Sequence, residues 1–272
     1  MRGAGWYAGR MADEIKPLTS KIEDWLSKQG CLLECRTHDA FERVGFGTQV
    51  STYINNSDGV PREIDVLAQT GYHCGTHSYV SVNFVCECKY SANFPWVVMD
   101  SKPAFKLFRY FDMLPRSVHL RELKLPWQVG CYHFSENSCF GHTVLQAFRP
   151  NDKPDLAYQS LHKIANAAWD LARDPKQGDS SLFPANHAAY VFPCIVVDAP
   201  LFVATLDADQ QRFTVREVNR YRLAWAGAAG GTLVDILRAD DLEAYAIDCR
   251  KTTEQMGDAL IKSLRDSNVD GW

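Results

Sequence analysis

The sequence lacks the long apolar runs, the excess of positive charge and the phosphate-binding motifs that mark several large protein classes. No apolar stretch approaches the roughly 20 residues that cross a bilayer as a helix, so we predict no membrane span. The 272 residues include 29 basic and 33 acidic side chains, for a formal charge of −4. A uniformly basic surface for nucleic acid is therefore excluded, although a local basic face is not. Glycine-rich phosphate loops, a Ser-His-Asp order and dinucleotide fingerprints are missing too.

A disulfide framework is also not indicated. The nine cysteines are odd in number and too dilute for a secreted disulfide scaffold, so we predict a reducing, cytoplasmic location. Hydrophobic residues make up 46% of the chain and charged residues 23%, which is typical of a folded domain and not of a disordered chain. The glycine-rich start has no apolar signal core. We therefore interpret residues 1–18 as a leader with a short helix and residues 19–272 as one domain.

Hydrophobic spacing predicts a mixture of helices and strands. Helical periodicity covers four segments, which are 20–28, 102–113, 156–173 and 252–264. Alternation and β-branched residues predict strands over 49–54, 63–68, 79–88, 190–197, 201–206, 213–218 and 232–237. The apolar stretch 31–35 is compatible with either a strand or a loop. This order predicts an α/β fold whose mixed central sheet is flanked by helices, with a β-rich extension from about residue 185.

Two of the predicted strands carry charged residues next to apolar ones. Asp65 lies in Arg-Glu-Ile-Asp-Val on one strand, and Glu87 and Lys89 lie two positions apart on the next, so that these two share a face. An apolar run leads into Glu87, and burying such charges is unfavourable unless something compensates them. A divalent cation bound by Asp65, Glu87 and the backbone carbonyl of Cys88 would compensate, because hard oxygen ligands suit Mg²⁺.

The same residues resemble the motif of a known family. Asp65 in REIDVLA, followed 22 positions later by Glu87 and Lys89 in CECK, resembles the PD-(D/E)XK, or restriction-endonuclease-like, nucleases. The turn at 71–78 is similar to the hairpin between the two motif strands of that family, and 90–98 resembles the Pro-Trp segment of bacterial members. Ile64 stands where the family usually has proline, a variation common in Mrr-like branches. The resemblance covers about residues 49–98.

The resemblance implies a restriction-endonuclease-like fold and an endonuclease that hydrolyses phosphodiester bonds of DNA. It implies Mg²⁺ as the cofactor, with Mn²⁺ as a substitute, bound by Asp65, Glu87 and the Cys88 carbonyl. Lys89 would orient the attacking water or stabilise charge in the transition state. Bacterial proteins of this kind often act in restriction or anti-phage defence, and often as homodimers or with a partner subunit.

The resemblance also implies one more acid on the first helix of the domain. Glu23 is the best match for that acid and Glu14 is a weaker one. Glu23 equally fits a capping box with Ser20, so the cap and the catalytic role remain alternatives. Glu63 shares a strand face with Asp65 and is either a supporting acid or a surface residue.

Several other features leave alternatives open. Cys131, His133, Cys139 and His142 offer four zinc-binding side chains within twelve positions, although their spacing matches no standard zinc motif. The segments 102–124 and 212–222 are locally basic and are either phosphate-binding surfaces or ordinary solvated faces. On the predicted helix 156–173, Gln159 and His162 face either a cleft or solvent.

Two other functions remain compatible with the sequence. A non-catalytic nucleic-acid- or protein-binding module could keep the same fold, and a ribonuclease or a nuclease subunit that needs a partner could keep the same motif. Retention of Asp65, Glu87 and Lys89 together argues against the non-catalytic module, because binding alone has no need of that set. Divalent-cation binding that depends on Asp65 and Glu87 would separate the two classes.

Overall fold

The computed structural model describes residues 17–26, 30–55, 61–73, 78–91, 94–100, 115, 141–150, 152–173, 186–207, 209, 211–227 and 230–266. Its helices are α1 Leu18–Leu26, α2 Cys31–Arg43, α3 Leu156–Arg173 and α4 Leu242–Asp266, with one turn of 3₁₀ helix at Ala239–Asp241. Its strands are β1 Gly47–Asn55, β2 Pro61–His73, β3 Ser78–Tyr90, β4 Trp96–Asp100, β5 Gly141–Gln146, β6 Asn186–Asp198, β7 Leu201–Asp207, β8 Arg212–Glu217, β9 Arg220–Gly227 and β10 Gly230–Arg238. None of these helices is long and apolar enough to cross a membrane.

The ten strands form a single mixed sheet in the order β1-β2-β3-β6-β10-β9-β5-β4-β7-β8. The first three strands are an antiparallel meander. Strand β3 then pairs in parallel with β6 over the full 13 residues of each strand. The mixed α/β fold predicted from the sequence is therefore confirmed, and β3 lies in the interior of the sheet between β2 and β6.

Each face of the sheet has its own hydrophobic core. On one face, Phe84 of β3 packs with Phe41 of α2 and Tyr245 of α4. On the other face, Val85 of β3 packs with Leu161 of α3. Because side chains alternate along a strand, β3 contributes to both cores in turn and is buried from residue 80 to residue 88. Charged side chains near the end of β3 therefore lie at the edge of a buried layer.

The segment 31–35 was predicted wrongly, and helix α4 begins ten residues before the predicted helix 252–264. Residues 31–35, expected to be a strand or a loop, begin helix α2. The buried residues of α2 are Leu33, Thr37, Ala40 and Phe41. The last three follow Leu33 by four, seven and eight positions, so the four residues share one helical face. The stripe is interrupted by charged and polar residues on the outer side, which hid its period in the short window 31–35. The predicted helix 102–113 lies outside the described residues.

Candidate active site

The pairing of β2 with β3 ends next to Asp65. The ladder between β2 and β3 runs from His73 opposite Tyr79 to Val66 opposite Cys86, and its continuation would set Asp65 opposite Glu87. There the side chain of Asp65 takes the place of a backbone acceptor, because the Cys88 amide donates to its Oδ2 at 2.8 Å. A buried hydrogen bond therefore connects Asp65 to β3 through its Oδ2 atom. Its Oδ1 atom is left for a different partner.

Glu87 and Lys89 meet Asp65 at this junction. Glu87 is only 1% exposed, and the Lys89 ammonium lies 2.5 Å from its Oε1. The same ammonium lies 3.6 Å from Oδ2 of Asp65 and donates to the Cys88 carbonyl at 3.2 Å. The structure thus brings together all four groups that the sequence singled out, namely the Asp65 and Glu87 carboxylates, the Lys89 ammonium and the Cys88 carbonyl.

A fourth charged side chain, Lys163 of α3, also reaches the site. Its ammonium lies 2.6 Å from Oε2 of Glu87 and 3.2 Å from Oδ1 of Asp65. Gln159 and His162, the helix residues considered from the sequence, are exposed, and His162 bonds to Asn166. The available signal for Lys163 was its place between Ser160 and Ala167, three residues before and four after it, which are both buried on the packed face.

Burial and charge act in opposite directions on these groups. Burial raises the pKa of Glu87 and the Asp65 carboxylate raises it further, while Lys89 and Lys163 lower it without cancelling the rise. Burial alone would lower the pKa of Lys163, but the carboxylates of Glu87 and Asp65 raise it above its usual value. Lys163 is therefore a cation at neutral pH, held by the two carboxylates.

Helix α2 lies beside the site, because the Thr37 hydroxyl and the Cys88 thiol are 3.4 Å apart, and it carries a further acid, Glu34, one turn before Thr37. Burial raises the pKa of Glu34, and the negative charges of Asp65, Glu63 and Glu87 raise it further, while Lys89 lowers it. The charges of the cluster therefore act on the Glu34 carboxylate. A helix acid was expected here from the family resemblance, but the expected residue was Glu23.

Glu23 lies on α1 and is exposed. The capping box proposed for it with Ser20 is wrong, because α1 begins at Leu18 and Ser20 is already inside the helix. No residue of α1 is buried, and each is exposed or partly exposed. Glu14 lies outside the described residues.

The other candidate metal ligands do not form a described cluster. Cys131, His133 and Cys139 lie outside the described residues, and His142 is exposed on β5. Three possible ligands on the outer side of α2, which are His38, Asp39 and Glu42, lie close together, but two of the three are exposed. Exposed helical acids of this kind are common without any bound ion, so they do not mark a site.

The basic segments have different outcomes. The segment 102–124 lies outside the described residues apart from Pro115. In the segment 212–222, Arg212 and Arg216 are exposed on β8, but Arg222 is largely buried and forms a bidentate pair with Asp235. Arg220 pairs with Asp241 and Asp248. The sequence therefore overstated the free positive charge of this segment.

The donor set fits a hard divalent cation. Two carboxylates and one backbone carbonyl converge at the junction of β2 and β3, and all are oxygen donors of the kind that Mg²⁺ and Mn²⁺ bind. Oε2 of Glu87 is buried and makes no well-directed hydrogen bond, although the Lys163 ammonium lies 2.6 Å away. An acid oxygen held by charge alone can exchange one cation for another.

Comparison of the chain with protein-family models, curated proteins and solved structures finds no match.

Proposed function

We propose that this protein is a divalent-cation-dependent endonuclease that hydrolyses phosphodiester bonds of DNA on a restriction-endonuclease-like fold. The observation that carries the proposal is the convergence of Asp65, Glu87 and Lys89 where β2 and β3 part. A buried acid pair with a lysine beside it is suited to binding a cation and a phosphate together. Glu34 on α2 supplies the helix acid that the family resemblance leads us to expect.

Each residue has a defined part in this proposal. Asp65 and Glu87, with the Cys88 carbonyl, hold the cation. When bound, the cation lowers the pKa of a coordinated water and offsets negative charge on the phosphate. Lys89, fixed to the Cys88 carbonyl, holds the attacking water or donates to a non-bridging oxygen as charge develops on it. Glu34 adds negative charge at the rim of the site, which strengthens cation binding.

The biological setting is proposed on the resemblance alone. We propose a cytoplasmic enzyme of bacterial restriction or anti-phage defence, with DNA as substrate and RNA as the alternative polymer. A homodimer or a complex with a partner subunit would provide the two active sites that cutting both strands needs.

One observation favours a second candidate, a binding module without catalysis. The charges of Asp65, Glu87, Lys89 and Lys163 already balance one another in the absence of any ion. In this second candidate, the cluster has a purely structural role and holds β2, β3 and α3 together. Titration with Mn²⁺ separates the candidates, because a purely structural cluster would not take up a cation in a manner that depends on Asp65.

The test of the proposed function is a cleavage panel with plasmid, linear duplex DNA, single-stranded DNA and RNA in Mg²⁺ or Mn²⁺. We expect cation-dependent cleavage of DNA, reduced about 100-fold by Lys89→Ala, as for other residues that stabilise transition-state charge. Lys251→Ala, which removes an exposed lysine of α4, is the matched control and should cleave normally. Folded protein that neither cleaves any polymer nor binds Mn²⁺ would contradict the proposal and favour the binding module.

The helix acid gives a second prediction. Glu34→Gln should lower the rate of cation-dependent cleavage by about 10- to 100-fold, the range seen when groups supporting metal ligands are lost. Glu23→Gln should leave the rate unchanged, because Glu23 is exposed on α1. Initial rates measured across a Mg²⁺ series would check both variants. Equal effects, or a larger effect at Glu23, would show that Glu34 is not the acid that serves the site.

A further inference from the structure

Two lysines divide the four carboxylate oxygens of the site between them. Lys89 contacts Oε1 of Glu87 and Oδ2 of Asp65, while Lys163 contacts Oε2 of Glu87 and Oδ1 of Asp65. Each ammonium therefore bridges the two acids from a different side. The cation-binding role proposed for the acids needs some of these oxygens, so at least one lysine must give up its contacts when a cation binds.

Lys163 is the lysine better able to move. Lys89 follows Glu87 on β3 and also donates to the Cys88 carbonyl, which belongs to the same strand. Lys163 extends from α3, in the helical layer that packs on the sheet, and its ammonium contacts the two site carboxylates. Its side chain is 32% exposed and has a flexible four-carbon stem, so the ammonium can turn outward without disturbing the helix.

The net charge of the site also favours an anion once the acids hold a cation. Asp65, Glu87 and Glu34 carry three negative charges when ionised, and Lys89 and Lys163 carry two positive ones. With a divalent cation bound, the sum becomes one positive charge, which one phosphodiester group balances. An ammonium released from the acids would then be close to an anion that needs a donor.

We propose that Lys163 is a phosphate-binding residue that Asp65 and Glu87 hold until they bind a divalent cation. In the cation-free protein the ammonium neutralises the two acids. When the acids take up a cation, Lys163 turns to a non-bridging oxygen of the phosphodiester backbone. This inference rests on the proposed function, and it makes DNA affinity depend on cation binding through one identified side chain.

The test measures binding and does not depend on cleavage. Titration calorimetry with Ca²⁺ should show that Lys163→Gln binds the ion at least about 10-fold more tightly than wild type, because a competing positive charge is gone. Fluorescence anisotropy with a labelled DNA duplex, confirmed intact afterwards on a gel, should be measured at several salt concentrations. With Ca²⁺ present, the salt dependence of Lys163→Gln should be lower than that of wild type by about one phosphate contact.

Matched variants separate this effect from changes in folding and overall charge. Lys251→Gln removes an exposed positive charge of α4 and should behave as wild type in both assays. Lys163→Arg keeps the charge and should retain the salt dependence. Lys163→Met keeps the volume of the stem and replaces Lys163→Gln if that variant melts at a markedly lower temperature. Without Ca²⁺, all folded variants should share the salt dependence of wild type.

Two results would overturn the inference, and they differ in what else they affect. If wild type binds Ca²⁺ through Asp65 and cleaves DNA, but Lys163→Gln changes neither ion affinity nor salt dependence, then Lys163 is a structural counter-ion and the nuclease proposal stands. If wild type does not bind Ca²⁺, or if Asp65→Asn binds it equally well, the inference and the proposed function fail together.

Discussion

Asp65→Asn is expected to abolish cation-dependent cleavage, with a loss of about 1,000-fold or more, equivalent to roughly 4 kcal/mol of transition-state stabilisation. The amide cannot replace a carboxylate as a ligand for a hard cation. Its oxygen can still accept the hydrogen bond from the Cys88 amide, so the junction of β2 and β3 should keep its shape. Initial rates and the midpoint of thermal unfolding, measured on the same preparation, would check both parts of this prediction.

Asp65→Ala separates the chemical role of this residue from its structural one. Alanine removes the acceptor as well as the charge, which leaves the buried Cys88 amide without its partner at a cost of about 1–3 kcal/mol. We therefore expect the same loss of cleavage as in Asp65→Asn, together with a lower free energy of unfolding. Asp152→Asn, an exposed control just before α3, should change neither quantity. Near-normal cleavage by Asp65→Asn would be incompatible with a cation-dependent site at this position.

Asp235→Ala is expected to give the largest loss of stability, about 3 kcal/mol of unfolding free energy, because it removes one partner of a buried ion pair. The Arg222 guanidinium donates to both oxygens of Asp235, at 2.6 and 2.9 Å, and the Tyr245 hydroxyl donates to one of them at 3.0 Å. Tyr245 also belongs to the core that α4 shares with β3. Loss of the carboxylate therefore affects an interior charge and the packing of a helix.

The exposed pair of Arg238 and Glu217 provides the matched control. Its atoms lie 2.6 Å apart, as close as those of Arg222 and Asp235, but the Glu217 side chain is 56% exposed. Glu217→Ala should therefore cost no more than about 1 kcal/mol, since water replaces the lost contact. Urea unfolding of both variants under identical conditions gives the comparison. Equal losses would show that burial does not set the contribution of the Arg222 pair.

Local pattern was sufficient wherever an element has one clear period. The helix predicted over 156–173 has the bounds of α3, because small and apolar residues follow one face along its whole length. The strands around Asp65 and Glu87 were predicted because β-branched residues alternate with a turn between them. Three strands, β4, β5 and β9, were missed. Two of these are only five and six residues long, and the third begins with the alternating arginines that suggested a basic surface.

The parts of the site that sequence could not provide come from distant segments. Lys163 lies 98 residues after Asp65, and only the packing of α3 on the sheet brings them together. Glu34 was missed because α2 itself was missed, and the acid was sought on the helix that came first in the chain. The burial of Arg222 depends on Asp235 on the neighbouring strand β10, a partner that charge counting along the segment 212–222 cannot include.

During synthesis, the ribosome delivers β3 well before the strand that holds it on its other side. Cys86 of β3 and Cys194 of β6 are register partners although they are 108 residues apart in the chain. At bacterial or eukaryotic elongation rates, that separation corresponds to roughly 5–20 s of translation. Through this interval the nascent chain exposes one edge of a strongly apolar strand, which makes early engagement by a chaperone advantageous. The charged junction of β2, β3 and α3 therefore takes its final form late in synthesis.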